Sequence, residues 1–194
     1  MKTEQVISFM MEYHKVESEE AISLLKWWTH IPLLYWALEK TKNSKKPIIE
    51  FGCGEGSTPF LQYYCKKNSR KLISYDENSE WASRYNAIHI ANWDSIIHEE
   101  YSVALIDHSP AGRRHIDALL IKDKSDYIVI HDSEVEGNQT YMFDKIWGSF
   151  QYKKDIRYNH HNQQRYGDNH PFSPFSPMAS IVSTKYELPN INPF

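Results

Sequence analysis

Residues 48–59 constrain this chain more than any other stretch. Ile48, Ile49, Glu50 and Phe51 follow Pro47 as a short apolar run that predicts a buried strand. Gly52, Gly54 and Gly56 alternate directly behind it, and Ser57, Thr58 and Pro59 then open a helix. Glycine adopts positive φ without steric cost and lets a ligand approach bare main chain. The helix behind the turn points its free N–H groups and positive dipole end back at it. Thr58 or Ser57 is the expected cap, with Pro59 at the first helical position. Strand, glycine turn and helix make a nucleotide-type site in an α/β chain with a doubly wound sheet. The third glycine comes one residue early for a dinucleotide turn, and no Gly-Lys-Ser/Thr follows as a phosphate loop requires.

The chain has 194 residues, 41% hydrophobic and 24% charged, which suits one domain able to bury its own core. Residues 1–46 are expected to be a helical segment packed on a cofactor-binding domain of residues 47–194. A formal charge of −3 gives no electrostatic footprint for DNA or RNA, so no nucleic acid is expected as a partner. Cys53 in the turn and Cys65 in the next helix do not make a secreted disulfide framework. No leader pattern opens the chain, and no apolar run approaches the ~18 residues of a membrane span. A soluble cytoplasmic protein without a membrane partner is the expectation.

Taken in order, Val6, Phe9, Met10 and Tyr13 share one helical face, and Ile22, Leu25 and Trp28 repeat the pattern after Ser18. A third helix begins near Thr29, with Pro32 in its first turn. Trp27, Trp28 and Trp36 are read as core; the alternative is that these helices cover a ligand or form a homodimer face. Residues 71–75 predict a second strand ending at Asp76, at about the 20-residue spacing where an acid accepts the ribose hydroxyls of a nucleotide. A third strand is expected at Ala87–Ile90. Val103–Ile106 and Tyr127–Ile130 read as central parallel strands, ending on Asp107-His108 and His131-Asp132. Ligands in open α/β sheets lie beyond the carboxyl ends of the strands, so both Asp-His pairs should face the crevice of the glycine turn. Tyr141 to Trp147 suggest a helix packed on the sheet, Phe150–Tyr158 a sixth strand and Ala179–Tyr186 a last one. Between these, His160 to Pro177 reads as a long loop that brings His160, His161, Arg165, Tyr166 and His170 near the site.

The pattern from Glu50 through Gly52, Gly54 and Gly56 resembles the first motif of the class I S-adenosylmethionine-dependent methyltransferases. Asp107-His108-Ser109-Pro110-Ala111-Gly112 with Arg113 or Arg114 resembles the Asp-Gly-Pro-Pro-Gly…Arg segment of small-molecule and sugar O-methyltransferases, with His108 in place of glycine. Together with Ser74 to Trp81 and Ile130-His131-Asp132, the resemblance spans approximately residues 47–135. It implies a Rossmann-like sheet of about seven mostly parallel strands, S-adenosylmethionine as cofactor, and methyl transfer to an oxygen of a small molecule or sugar. The cofactor residues it implies are Glu50, Gly52, Cys53, Gly54, Gly56, Ser57, Thr58, Asp76 and Asp107, with Trp93 stacking on the adenine and Asp94 accepting from its amino group. His108 or His131 would be the base, His108 favoured, each beside its carboxylate, Asp107 or Asp132. The catechol-type branch holds a divalent metal at positions like Asp107 and Asp132, although its following Asn is here Ser133. Two rivals stand beside this reading. One is an NAD(P)-dependent oxidoreductase, for which neither the third glycine nor a Tyr-x-x-x-Lys pair is seen; the other is a noncatalytic binding module on the same fold.

Overall fold

The computed structural model describes residues 3–96, 99–157 and 178–188. Three helices come first: α1 (Thr3–His14), α2 (Ser18–Trp27) and α3 (His30–Lys40). The strands β1 (Ile48–Phe51), β2 (Leu72–Asp76), β3 (Ile88–His89), β4 (Tyr101–Ile106) and β5 (Ser125–His131) then alternate with α4 (Ser57–Lys67), α5 (Ser79–Tyr85) and α6 (Arg114–Leu120). A short α7 (Asn138–Tyr141) leads to β6 (Tyr152–Arg157) and β7 (Met178–Ser183). The sheet has seven strands in the order β3-β2-β1-β4-β5-β7-β6, as the doubly wound reading requires. β1 to β5 are parallel, whereas β7 runs antiparallel between β5 and β6.

The order reverses at β1, with β2 on one side and β4 on the other, and ligands bind at such a switch point. Register fixes what meets there. Phe51 is level with Tyr75 and Ile106, and Ile106 with Ile130, so the residues just beyond them, Gly52, Asp76, Asp107 and His131, emerge along one edge.

Every residue of β1 and β4 is buried, which is why both are predominantly apolar. Alternation along these strands divides the core. Ile48, Val103, Leu105 and Val129 pack with Val6, Met10, Ile31, Leu34 and Leu38 of the first helices and Phe60 of α4. Ile49, Phe51, Ala104, Ile106, Ile128 and Ile130 face Trp93, Ala118, Phe143 and Ile146 on the other side. Each fully buried Ile, Leu or Phe contributes roughly 1.5–3 kcal/mol, so the N-terminal helices supply a large share of the first layer. Trp36 is buried edge-on to Tyr127, 5.1 Å between ring centroids. Trp28 is half-buried.

Several boundaries differ from expectation. Only Ile88 and His89 pair in the third strand, and the sixth and last strands are Tyr152–Arg157 and Met178–Ser183. The helix expected over Tyr141 to Trp147 is broken, because Met142 takes a left-handed φ of 56° and the chain continues as a pair of 3-10 turns, Phe143–Lys145 and Trp147–Ser149. The loop of residues 160–177, with His160, His161, Arg165, Tyr166 and His170, lies outside the described residues. No helix among the described residues is long and apolar enough to cross a membrane.

Among the described residues Gly52 is the one glycine with positive φ, 88°, and a Cβ on it would lie 2.6 Å from Asp107 O and His108 Cα. Backbone at that distance cannot step aside as a side-chain tip can. Gly52→Ala is expected to lose about 3 kcal/mol or more in urea unfolding, from left-handed strain and overpacking together. Gly148→Ala, with nothing within 4 Å of its Cβ position, is the matched control and should move stability by less than about 1 kcal/mol.

Candidate functional site

The glycine turn is held from beneath by one acid. Glu50 has no exposed surface; its Oε1 accepts from Ser57 Oγ at 2.7 Å and Thr58 Oγ1 at 3.0 Å, and its Oε2 from Ser74 Oγ at 2.7 Å. Thr58 Oγ1 in turn accepts from the Gly54 N–H at 2.9 Å. Burial pushes the Glu50 carboxyl up to about 7, against the pull of its three hydroxyl donors. Glu50, Ser57 and Thr58, expected to bind the cofactor, have buried side chains hydrogen-bonded to one another beneath the turn. The α4 cap position is also not Ser57 or Thr58 but Gly56. A Cβ on Gly56 would meet the Trp28 ring at 2.9 Å, so the segment joining α2 to α3 lies against the turn.

Above the turn is a pocket of about 280 Å³ lined by Gly52, Cys53, Asp76, Asp107 and His108, together with Glu77, Asn78, Trp81 and Ser109. Asp76 is anchored by main chain: Oδ2 accepts from Cys53 N–H and Oδ1 from Asn78 N–H, both at 2.7 Å. Each carboxylate oxygen has two lone pairs, so one on each remains for a ligand. Sequence reasoning passes over the last four residues. Asn78 has a signal, since it caps α5 by accepting from Glu80 and Trp81 N–H, and that cap fixes where Trp81 stands.

Three expected side chains do not face the pocket. Trp93 is 4% exposed, its Nε1 donates to Ser109 O at 2.7 Å, and its ring packs on Phe51 and His108, so it cannot stack on a bound base. Asp94 is exposed and accepts from Arg113 Nη2 at 2.6 Å, away from the pocket lining. The His108 side chain is fully buried, with Nε2 2.8 Å from Asp117 Oδ2, and its contribution to the pocket is main chain. Burial lowers its pKa against the opposing pull of Asp117. An imidazole sealed under Trp93 and Phe51 cannot reach an acceptor hydroxyl, which removes His108 as the base.

The other strand ends do converge. His131 Nδ1 lies 3.2 Å from Asp107 Oδ1 and 3.2 Å from Asp132 Oδ1. Burial pulls the imidazole pKa down, but the two carboxylates outweigh it and hold His131 well above the usual 6.5. Asp132, in left-handed backbone at φ 52°, is far below the carboxylate range, because His131 and Arg114 outweigh its burial. Arg114 joins the group, with Nη1 3.0 Å from Asp132 Oδ2 and Nη2 3.0 Å from Asp107 Oδ1. Tyr141 OH donates to Asp132 Oδ2 at 3.2 Å. Edge-on to His131, 4.5 Å away, is the buried ring of His30 at the start of α3, which no motif in the sequence connects to the site. Asp107, His131 and Asp132 each offer a ligand atom within 4.8 Å of the others. Arg114 already spans the two acids, so the donor set does not fit a divalent ion.

The sequence matches no family model and no curated protein. Solved structures do share its architecture. A Thermoplasma acidophilum protein aligns with a TM-score of 0.55 at 11% identity, over 92% of this chain and 97% of that one. The plantazolicin methyltransferase BpumL, in complex with a pentazolic desmethylPZN analog and SAH, aligns with a TM-score of 0.54 at 12% identity, over 94% and 98%. The fold is one that methyltransferases use. The METTL16 MTase domain shares it too, with a TM-score of 0.51 at 9% identity, over 79% of this chain and 67% of that one.

The raised Glu50 pKa makes stability depend on pH. Between its ordinary 4.5 and about 7 the folded chain holds a proton that the unfolded chain releases, so this contribution is complete below 4.5 and is lost as pH rises through 7. The loss amounts to about 3 kcal/mol. Glu50→Gln, which has no proton to lose, is expected to flatten that decline when urea unfolding is followed across the window.

Proposed function

We propose that this chain is an S-adenosylmethionine-dependent methyltransferase acting on an oxygen of a small molecule or sugar. The observation that carries the reading is Asp76, pinned by two main-chain N–H groups in the wall of a pocket at the sheet's switch point, opposite the bare backbone of Gly52. In this reading Asp76 accepts the ribose hydroxyls, the main chain of Gly52 and Cys53 lies along the cofactor, and Trp81 takes the aromatic role expected of Trp93. S-adenosylmethionine supplies a methyl group on a sulfonium. Asp107, at the β4 end of the pocket, offers a carboxylate to that positive charge.

The base is His131. As the acceptor oxygen bonds the methyl carbon and the carbon–sulfur bond breaks, its proton passes to the imidazole, leaving S-adenosylhomocysteine neutral. Asp107 and Asp132 orient the ring and stabilise the imidazolium that forms. Displacement at the methyl requires an in-line nucleophile, and the rigid strand ends provide that positioning.

Asp76→Ala is expected to weaken S-adenosylhomocysteine binding by about 2–4 kcal/mol in calorimetric titration, the worth of two hydrogen bonds to a carboxylate. Unchanged affinity would remove Asp76 from the site, and NAD binding in its place would favour the oxidoreductase. Once a screen of sugars, uronic acids and phenols has given an acceptor, kcat/KM should rise on the alkaline side, because neutral His131 forms only as pH passes its raised pKa. The groups around the ring are Asp107, Asp132, Arg114, Glu134 and His30. Asp132→Asn removes a charge that favours the imidazolium, so the rise should shift to lower pH by about one unit or more. A profile indifferent to this substitution would rule out His131 as the base.

A further inference from the structure

Two carboxylates, Asp107 and Asp132, meet within reach of a single imidazole nitrogen at the ends of β4 and β5. Like charges this close in a partly dry setting repel strongly unless a cation lies between them. Proteins solve this with a metal ion or with cationic side chains, and the two solutions compete for the same oxygens.

Arg114 occupies that position as a built component. Its Nη1 and Nη2 each lie 3.0 Å from one acid, and its Nε donates to His108 O at 2.7 Å, so every nitrogen of the guanidinium is engaged. The Tyr141 ring covers it, 4.8 Å from the guanidinium carbon, and the residue is only 8% exposed. The neighbouring Arg113 is committed elsewhere, to Asp94 and Asp117. A divalent ion held by Asp107, His131 and Asp132 would compete with Arg114 for Asp107 Oδ1 and place two further positive charges beside a buried one.

We propose that Arg114 is the permanent cation of this site, beside the titratable His131, bridging Asp107, Asp132 and the main chain of His108 and thereby excluding a divalent metal from the strand ends. A lysine could not replace it, because a point charge lacks the planar fork that reaches both acids and a carbonyl together. The inference rests on the strand-end geometry and not on the methyl-transfer reading, so its test needs neither cofactor nor acceptor.

The test is calorimetric titration of the whole chain with manganese chloride. Wild type is expected to give no saturable binding tighter than about 1 mM. Arg114→Met, which keeps the stem and removes the fork, should bind Mn²⁺ at least about tenfold more tightly and gain thermal stability as the ion is added. That gain should vanish in Arg114→Met/Asp132→Asn. Saturable wild-type binding below about 100 µM that is abolished by Asp107→Asn would overturn the proposal, as would a folded Arg114→Met that binds no better than wild type. Should Arg114→Met not fold, the wild-type titration still decides, with Arg114→Lys, which keeps a charge but not the fork, as the second variant.

Discussion

A carboxylate without exposed surface holds the centre of this molecule. Glu50 receives hydroxyls from α4 and from β2, and so fixes the turn between β1 and α4 relative to the neighbouring strand. Everything above it inherits that geometry. The Gly54 N–H is oriented through Thr58, and the Gly52 main chain presses against the end of β4 with no room for a Cβ. A buried acid is costly on its own; satisfied by three short hydrogen bonds, it becomes a specific lock that an apolar side chain of similar size could not supply.

The strand ends carry a second, different kind of order. Around Glu50 the donors are neutral hydroxyls, whose pull does not offset burial, and the carboxyl holds its proton into the neutral range. Around Asp132 the partners are cations, and the carboxyl is driven to stay ionised. Two acids of one sheet thus occupy opposite protonation regimes, one supporting the fold and the other lending charge to the imidazole proposed as base.

Much of the fold is legible in the sequence because buried parallel strands leave a distinct mark. Val103–Ile106 and Tyr127–Ile130 are continuous apolar runs, Ile48–Phe51 is apolar but for Glu50, and each ends at the crevice edge. The sequence also locates Asp76, Asp107, His131 and Asp132 at strand ends, because a strand end is a one-dimensional property. What it does not carry is the direction of a side chain one residue further on. His108 turns inward to Asp117, a partner on α6 that no local spacing announces, while His131 stays at the edge between two acids. Trp93 departs from its expected role for the same reason: its indole N–H is claimed by the Ser109 carbonyl, a contact between distant segments. Glu50 has the position of a ligand-binding acid and the surroundings of a structural one, and only its hydroxyl partners distinguish the two. His30 lies beyond the reach of sequence reasoning because it arrives from the N-terminal helices, outside any strand-end pattern.

The packing of Trp28 against Gly56 has a consequence for how the chain acquires its shape. The segment between α2 and α3 must come to rest on a turn that is itself shaped by β2 and by the end of β4, so this contact closes a loop between distant parts of the chain. Loop closure of that kind loses entropy before any burial compensates for it. Val6, Met10, Ile31 and Leu34 share one apolar layer with β1 and β4, so neither the first helices nor the sheet buries that face without the other. Sequence position 46 marks a change of pattern, from helices to alternating strands, and residues from both sides of it meet in that layer.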